Sequence, residues 1–185
     1  MRITGGKLRG IKFDFPKNKD TRPTSSLVRL SIFNSIGVNN IEGKLVLDMF
    51  AGSGSLGIEA LSRNAKHVDF VEISKSNCRT LKKNMCLLGM QNLANIYCEK
   101  VENFLSENKT KYDTILMDPP YKLTSLNEIL NLLSHSSILK KDSTIIIGHS
   151  KRQILENNYT NLYRNKFKQY GESNVSYLSF KKEVL

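Results

Sequence analysis

Four consecutive residues, Asp118-Pro119-Pro120-Tyr121, carry the most specific chemistry in this chain of 185 residues. Two prolines fix their own φ angles and remove two backbone donors, so a turn built on them is rigid and rich in acceptors. An exocyclic amine on a nucleobase presents two N–H donors. The Asp118 carboxylate and the Pro119 carbonyl can take one each. The amine lone pair is delocalised into the base and is a poor nucleophile. Two acceptors can turn it toward an electrophile, and a preorganised carboxylate stabilises the positive charge that nitrogen acquires. Tyr121 offers a face on which an extruded base can stack.

A second group of residues begins at Asp48 and runs Met49-Phe50-Ala51-Gly52-Ser53-Gly54-Ser55-Leu56-Gly57. Gly52, Gly54 and Gly57 satisfy Gly-x-Gly-x-x-Gly, and Glu72 follows 20 residues after Gly52. Such glycines permit a tight turn and close backbone approach, and an acid at that distance takes ribose hydroxyls. A pyrophosphate would be repelled by Asp48. A ligand with an ammonium and a sulfonium would be attracted.

These groups need a scaffold that ends several strands at one rim. Leu45-Val46-Leu47 reads as a buried strand leading into the Gly-rich turn, and Ser55 to Arg63 as a short helix. Val68 to Ile73 is a second strand, and Ser74 to Leu88 a helix stopped by Gly89. Ala94 to Cys98, Tyr112 to Met117 and Ser143 to Ile147 are further strands, with helical segments at Val101 to Glu107 and Leu126 to Leu133. Alternating strands and helices predict an α/β fold: a mostly parallel sheet covered on both faces. Asn161 to Lys168 and Asn174 to Lys181 are expected to close its edge as an antiparallel pair, giving seven strands. Asp48, Glu72 and Asp118 then share the carboxyl rim, where ligands bind. Ahead of this lie a small hairpin ending at Pro16, a polar loop from Lys17 to Thr24, and a helix from Ser25 to Ile36.

Net charge is +11, which suggests a polyanionic partner. The excess is not uniform. Residues 1–40 hold eight basic and two acidic residues, 41–150 thirteen and twelve, and 151–185 seven and three. Both ends of the chain are therefore candidate nucleic-acid surfaces. Cys78, Cys86 and Cys98 form no Cys-x-x-Cys pair and have no clustered histidines, so neither a zinc site nor a disulfide is expected. No apolar run is long enough to span a bilayer and no signal-peptide core is visible, so the cytoplasm is the expected compartment.

The run Asp-x-Phe-Ala-Gly-Ser-Gly-x-x-Gly resembles the motif of class I S-adenosylmethionine-dependent methyltransferases, and Asp-Pro-Pro-Tyr resembles the tetrapeptide of those acting on amino groups. With Met-Arg-Ile-Thr-Gly-Gly-Lys-Leu-Arg-Gly at the start, Thr21-Arg22-Pro23-Thr24, Val28-Arg29 and the Tyr170-Gly171 to Phe180 ending, nearly the whole chain resembles the bacterial 16S rRNA (guanine-N2)-methyltransferases. The resemblance implies a Rossmann-like methyltransferase domain over 41–185, with residues 1–40 as an RNA-binding extension. It implies S-adenosylmethionine as methyl donor and S-adenosylhomocysteine as product, bound by Asp48, Phe50, Ala51, Gly52, Ser53, Gly54, Glu72, Ile73, Lys100 and Val101. Asp118, Pro119, Pro120 and Tyr121 would be catalytic, and no metal is implied. Arg2, Lys7, Arg9, Lys12, Arg22, Pro23, Thr24 and Arg29 would meet 16S rRNA or the assembling small subunit, with the chain acting as a monomer. The implied target is the guanine at position 966 of standard rRNA numbering. Competing readings are a DNA adenine-N6 methyltransferase, which would need more room for target recognition, and a protein-glutamine methyltransferase, whose tetrapeptide begins with Asn.

The chain departs from the family pattern twice. Where Asp or Asn usually reads the cofactor adenine, Lys100 stands, which cannot accept a hydrogen bond. Glu99 or the backbone of Val101 would have to serve. Where Glu often follows the fifth strand, Gly148-His149 stands; His149 is either a substrate contact or a strand-end residue without chemistry.

Overall fold

The computed structural model describes residues 1–15 and 26–181. Among these residues seven strands form one sheet: β1 (Leu45–Met49), β2 (His67–Val71), β3 (Ala94–Tyr97), β4 (Tyr112–Met117), β5 (Leu139–Ser150), β6 (Leu162–Tyr170) and β7 (Ser173–Phe180). Their spatial order is β3-β2-β1-β4-β5-β7-β6. The first five run parallel, and β7 inserts antiparallel between β5 and β6. Strand order reverses between β1 and β4, which opens a crevice beyond their carboxyl ends. Asp48 and Asp118 stand on either side of that crevice.

Helices cover both faces. On one side α1 (Ser26–Ile36), α2 (Ser55–Ser62) and α3 (Lys75–Leu87) pack Phe33, Leu56, Ile58 and Leu81 against Val46, Val68 and Phe70. On the other, α4 (Val101–Glu107) and α5 (Leu126–His135) pack Phe104, Ile129, Leu130 and Leu133 against Leu47, Ile115 and Ile145. The α/β architecture expected from the alternation of strand and helix patterns is the one found.

Most element boundaries shift by one or two residues, and two differences are larger. β5 starts before and ends after the apolar run 143–147, because β7 pairs with it from Thr144 to Ser150 and its polar start Lys140-Lys141-Asp142 reads locally as a loop. The N-terminal hairpin consists of one antiparallel bridge, Arg2 to Lys12, rather than two strands. Its predicted end at Pro16 and the loop from Lys17 to Thr24 fall outside the described residues.

That N-terminal arm is fastened to α2 through Glu59, which is 1% exposed. The Glu59 carboxylate accepts from the Thr4 amide and hydroxyl, both at 2.8 Å, and from Arg63 Nε at 3.0 Å. Arg29 of α1 lies 3.3 Å away and is itself wholly buried. Burial pulls the Arg29 guanidinium below its usual range, and Glu59 counteracts this. The last turn of α2 is closed by the arm too: the Lys7 amide donates to Ser62 O at 2.7 Å, and Ser62 Oγ to Gly5 O at 2.7 Å. Every residue of α2 is buried as a result. Ile3 and Phe13 of the arm belong to the same apolar cluster as α1 and α2.

Removing one partner of a buried ion pair leaves an uncompensated charge, which costs about 3–5 kcal/mol. Glu59→Leu should therefore lower unfolding free energy by about that much, whereas Arg29→Met/Glu59→Leu should regain most of it. Urea titration followed by circular dichroism measures both. A single mutant within about 1 kcal/mol of wild type would show that Glu59 does not hold the arm.

Candidate active site

Asp48 is the second-last residue of β1 and is 1% exposed. Its Oδ2 accepts the Gly57 amide at 2.8 Å, tying the strand end to the first turn of α2. Burial pushes its carboxyl up to about 8, with Asp118 and Glu72 adding to the rise and the Gly57 hydrogen bond opposing it. The turn after β1 is tight. Phe50 adopts φ 60°, a left-handed conformation that a bulky side chain rarely accepts. Gly52 follows at φ 55°, and its amide donates to Glu72 Oε2 at 2.7 Å. Glu72 lies just past β2 and is 8% exposed; its Oε1 accepts the Ser74 amide at 2.7 Å. One carboxylate thus fixes both the Gly-rich turn and the entry to α3.

These residues line a cavity of about 640 Å³. Asp48, Phe50, Ala51, Gly52, Ser53, Glu72, Ile73, Lys100 and Val101 all face it, as do Asp118, Pro119, Pro120 and Tyr121. Of the expected cofactor set, Gly54 alone does not. A Cβ there would come within 2.3 Å of Leu81 Cδ1, so this glycine serves the packing of α3 on the turn. Phe15, Asn77, Glu99 and Glu102 also line the cavity. Glu99 had been weighed as a reader of the adenine. The other three lie on segments that no local motif marks, and only the packing of arm and helices brings them to the rim.

The tetrapeptide closes the opposite wall. The Leu123 amide donates to Pro120 O at 2.8 Å, completing the turn. Tyr121 is tied through its hydroxyl to Ser173 Oγ of β7 at 2.5 Å, and Gln153 Nε2 donates to Leu123 O at 2.7 Å. Beside it, a Cβ on Gly148 would come within 2.8 Å of Asp118 Oδ1. The sequence marked Gly148 as a departure; the structure shows that its bare backbone is what makes room for the Asp118 carboxylate. His149 is 1% exposed, within hydrogen-bond distance of Ser150 O and Ser176 Oγ at 3.0 Å each, and burial depresses its pKa. It is a strand residue and does not line the cavity.

The basic residues separate. Arg2, Lys7, Arg9 and Lys12 are exposed on the arm. Arg22, Pro23 and Thr24 lie outside the described residues. Arg29, expected at an RNA surface, is corrected: it is buried against Glu59, so it cannot reach a phosphate. Its place between apolar residues of α1 hid this, because a helical arginine ordinarily points to water. A second correction concerns Cys78 and Cys98, which are paired as a disulfide with Cα atoms 6.1 Å apart. The register of α3 against β3 creates that proximity across 20 residues, and sequence spacing does not show it. Cys86 remains free and exposed. Among the described residues, no group of His, Cys, Asp or Glu could hold a metal, and no helix is long and apolar enough to cross a membrane.

The geometry has counterparts. A ribosomal RNA small subunit methyltransferase D from Buchnera aphidicola is 37% identical over 166 residues, covering 89% of this chain and 86% of that one. The Escherichia coli protein of the same name is 34% identical over 147 residues, covering 80% and 73%. Among solved structures, the Escherichia coli methyltransferase candidate yhhF superposes with a TM-score of 0.87 at 28% identity, covering 98% of this chain and 99% of that one. The sheet order, the Gly-rich turn and the Asp118 turn are thus set in a class I methyltransferase fold. The model of the family described as "Conserved hypothetical protein 95" matches residues 1–179, and the chain belongs to that family.

Proposed function

We propose that this protein transfers a methyl group from S-adenosylmethionine to the exocyclic N2 amine of a guanine in 16S rRNA, the guanine at position 966 by family resemblance. The observation that carries the reading is one cavity with two unlike walls: buried acids at the ends of β1 and β2, and the Asp-Pro-Pro-Tyr turn after β4. The names of the Buchnera and Escherichia coli relatives supply the ribosomal substrate.

The residues present fit such a cofactor. Asp48, held without a full counter-charge, suits a cationic ligand. Glu72 can accept ribose hydroxyls with the lone pairs its two backbone amides leave. Ile73 is 61% exposed at the mouth, an apolar surface suited to a purine. When bound, S-adenosylmethionine supplies a methyl group activated by a sulfonium. The protein's own part is alignment and charge. Tyr121, its hydroxyl tied to Ser173, presents its ring to the base. Asp118 and the Pro119 carbonyl hold the two amine protons, so the nitrogen lone pair points at the methyl carbon. The Asp118 carboxylate would take the proton that the amine nitrogen sheds on methylation. Holding both reactants in one orientation contributes a large share of the acceleration.

Tritium transfer from labelled S-adenosylmethionine into unmethylated small subunits, naked 16S rRNA, DNA and protein tests the reading. Label should enter rRNA at guanine N2; label in DNA or protein instead would overturn it. Asp118→Ala should cut transfer by about two orders of magnitude or more, with cofactor affinity unchanged. Full turnover in that variant would remove Asp118 from the mechanism.

Glu72→Ala should weaken cofactor binding by about 1–3 kcal/mol while rRNA binding holds. Calorimetry checks it, and equal affinities would refute the role. Asp48 gives a pH signature. Its carboxyl is protonated in the free protein below about 8 and must ionise to pair with a cation. Cofactor affinity should therefore rise as pH climbs toward 8, and binding near neutrality should release a proton into buffer. For stability the sign is opposite. An acid whose pKa is raised by folding stabilises the fold at low pH, and that contribution is lost as pH rises toward 8. Asp48→Asn should flatten both profiles; calorimetry in two buffers of different ionisation enthalpy reads the first.

A further inference from the structure

The segment between β5 and β6 passes beside the catalytic turn and presents Ile154 at 86% exposure. A single exposed isoleucine on a loose loop needs no explanation. This loop is held firmly on both sides of it. Gln153 donates its amide to Ser150 O at 3.0 Å and its Nε2 to Leu123 O at 2.7 Å, and its Oε1 accepts the Ser150 amide at 3.1 Å. Asn127 of α5 donates to Ile154 O at 3.1 Å and accepts the Glu156 amide at 3.3 Å. Leu155 is buried. The backbone of Ile154 is therefore fixed, and its side chain is directed away from the protein core.

Its neighbours indicate what it meets. Leu123, to which Gln153 is bonded, lies two residues past Tyr121 and lines the cavity. Lys122 lines it as well. Lys151 and Arg152 lie three and two residues before the apolar tip; Lys151 pairs with Glu172 at 2.5 Å, and Arg152 has no ion pair among the described residues. A rigid apolar tip, with Arg152 two residues before it, Glu156 two residues after it, and a Gln153 bond to the Leu123 wall of the cavity, fits a folded nucleic-acid strand that meets it on the Arg152 side. Cations meet phosphates. An apolar side chain can occupy the gap between stacked bases when one of them leaves.

Resting on the proposed rRNA methyl transfer, we propose that Ile154 is a wedge for the substrate: it inserts beside the target guanine, replaces the stacking that guanine loses on entering the cavity, and so holds it extruded. Arg152 anchors the adjoining phosphate. Ile154 touches neither cofactor nor amine, so its effect falls on the rate at which bound RNA presents its base.

The test uses the intact protein, unmethylated small ribosomal subunits and tritiated S-adenosylmethionine under single-turnover conditions. Ile154→Ala should slow transfer at saturating subunit on the order of tenfold, the scale for losing part of a stacking contact. Subunit affinity by filter binding, cofactor affinity by calorimetry and thermal unfolding should match wild type. Ile154→Leu, which keeps the apolar bulk, should restore the rate. Wild-type transfer by Ile154→Ala, a loss residing wholly in subunit affinity, or failure of leucine to restore it would overturn the wedge. Failure of the wild-type protein to label subunits or rRNA would instead reject the proposed reaction.

Discussion

Burying a carboxylate without a neutralising cation is the constraint around which this molecule is organised. Asp48 sits inside β1, next to the point where strand order reverses, with a single backbone amide offsetting its desolvation. Four further acids line the cavity, and two of them, Asp118 and Glu72, raise the cost of ionising it. Such an arrangement is unfavourable for an empty protein. It is tolerated because the acid stays protonated, burial having raised its pKa to about 8. The acid is therefore neutral below about 8, and a cation placed beside it would favour its ionised form.

The other polar centre does structural work. Glu59 gathers Thr4, Arg63 and Arg29 on one side of the sheet, away from the cavity. Both acids are buried, yet their environments oppose one another. Glu59 is surrounded by donors and two guanidinium groups, whereas Asp48 faces other acids. The first arrangement is neutralised, although Arg29 keeps Nε and Nη1 buried without a hydrogen-bond partner among the described residues; the second is held protonated by burial and its acid neighbours. That contrast sets the buried acid that fastens a segment apart from the one that lines the cavity.

Much of this was legible in the sequence, because it is written in local patterns. Strand ends at Asp48, Glu72 and Asp118 follow from apolar runs broken by acids, and the sheet follows from their alternation with helices. What was not legible depends on distance. Arg29 looked like a surface cation until Glu59, thirty residues on, turned out to be its partner. Gly54 looked like a ligand contact because it belongs to a motif; the structure holds it at φ 82° against Leu81, off the cavity lining. Cys78 and Cys98 meet through the packing of α3 on β3, which spacing does not encode. Gly148 looked like a lost functional group, and its meaning emerges only from its distance to Asp118.

The tie between Tyr121 and Ser173 has a consequence in time. Ser173 opens β7, the last strand in sequence, which must slide between β5 and β6 before the sheet is complete. During synthesis the acids, the Gly-rich turn and the tetrapeptide all emerge well before it. Until β7 pairs, the outer edge of β5 is uncovered and the tyrosine ring lacks its anchor. A chain still lacking β7 therefore carries Tyr121 untethered beside the cavity. The wall formed by the 118–121 turn is complete only once β7 has paired with β5.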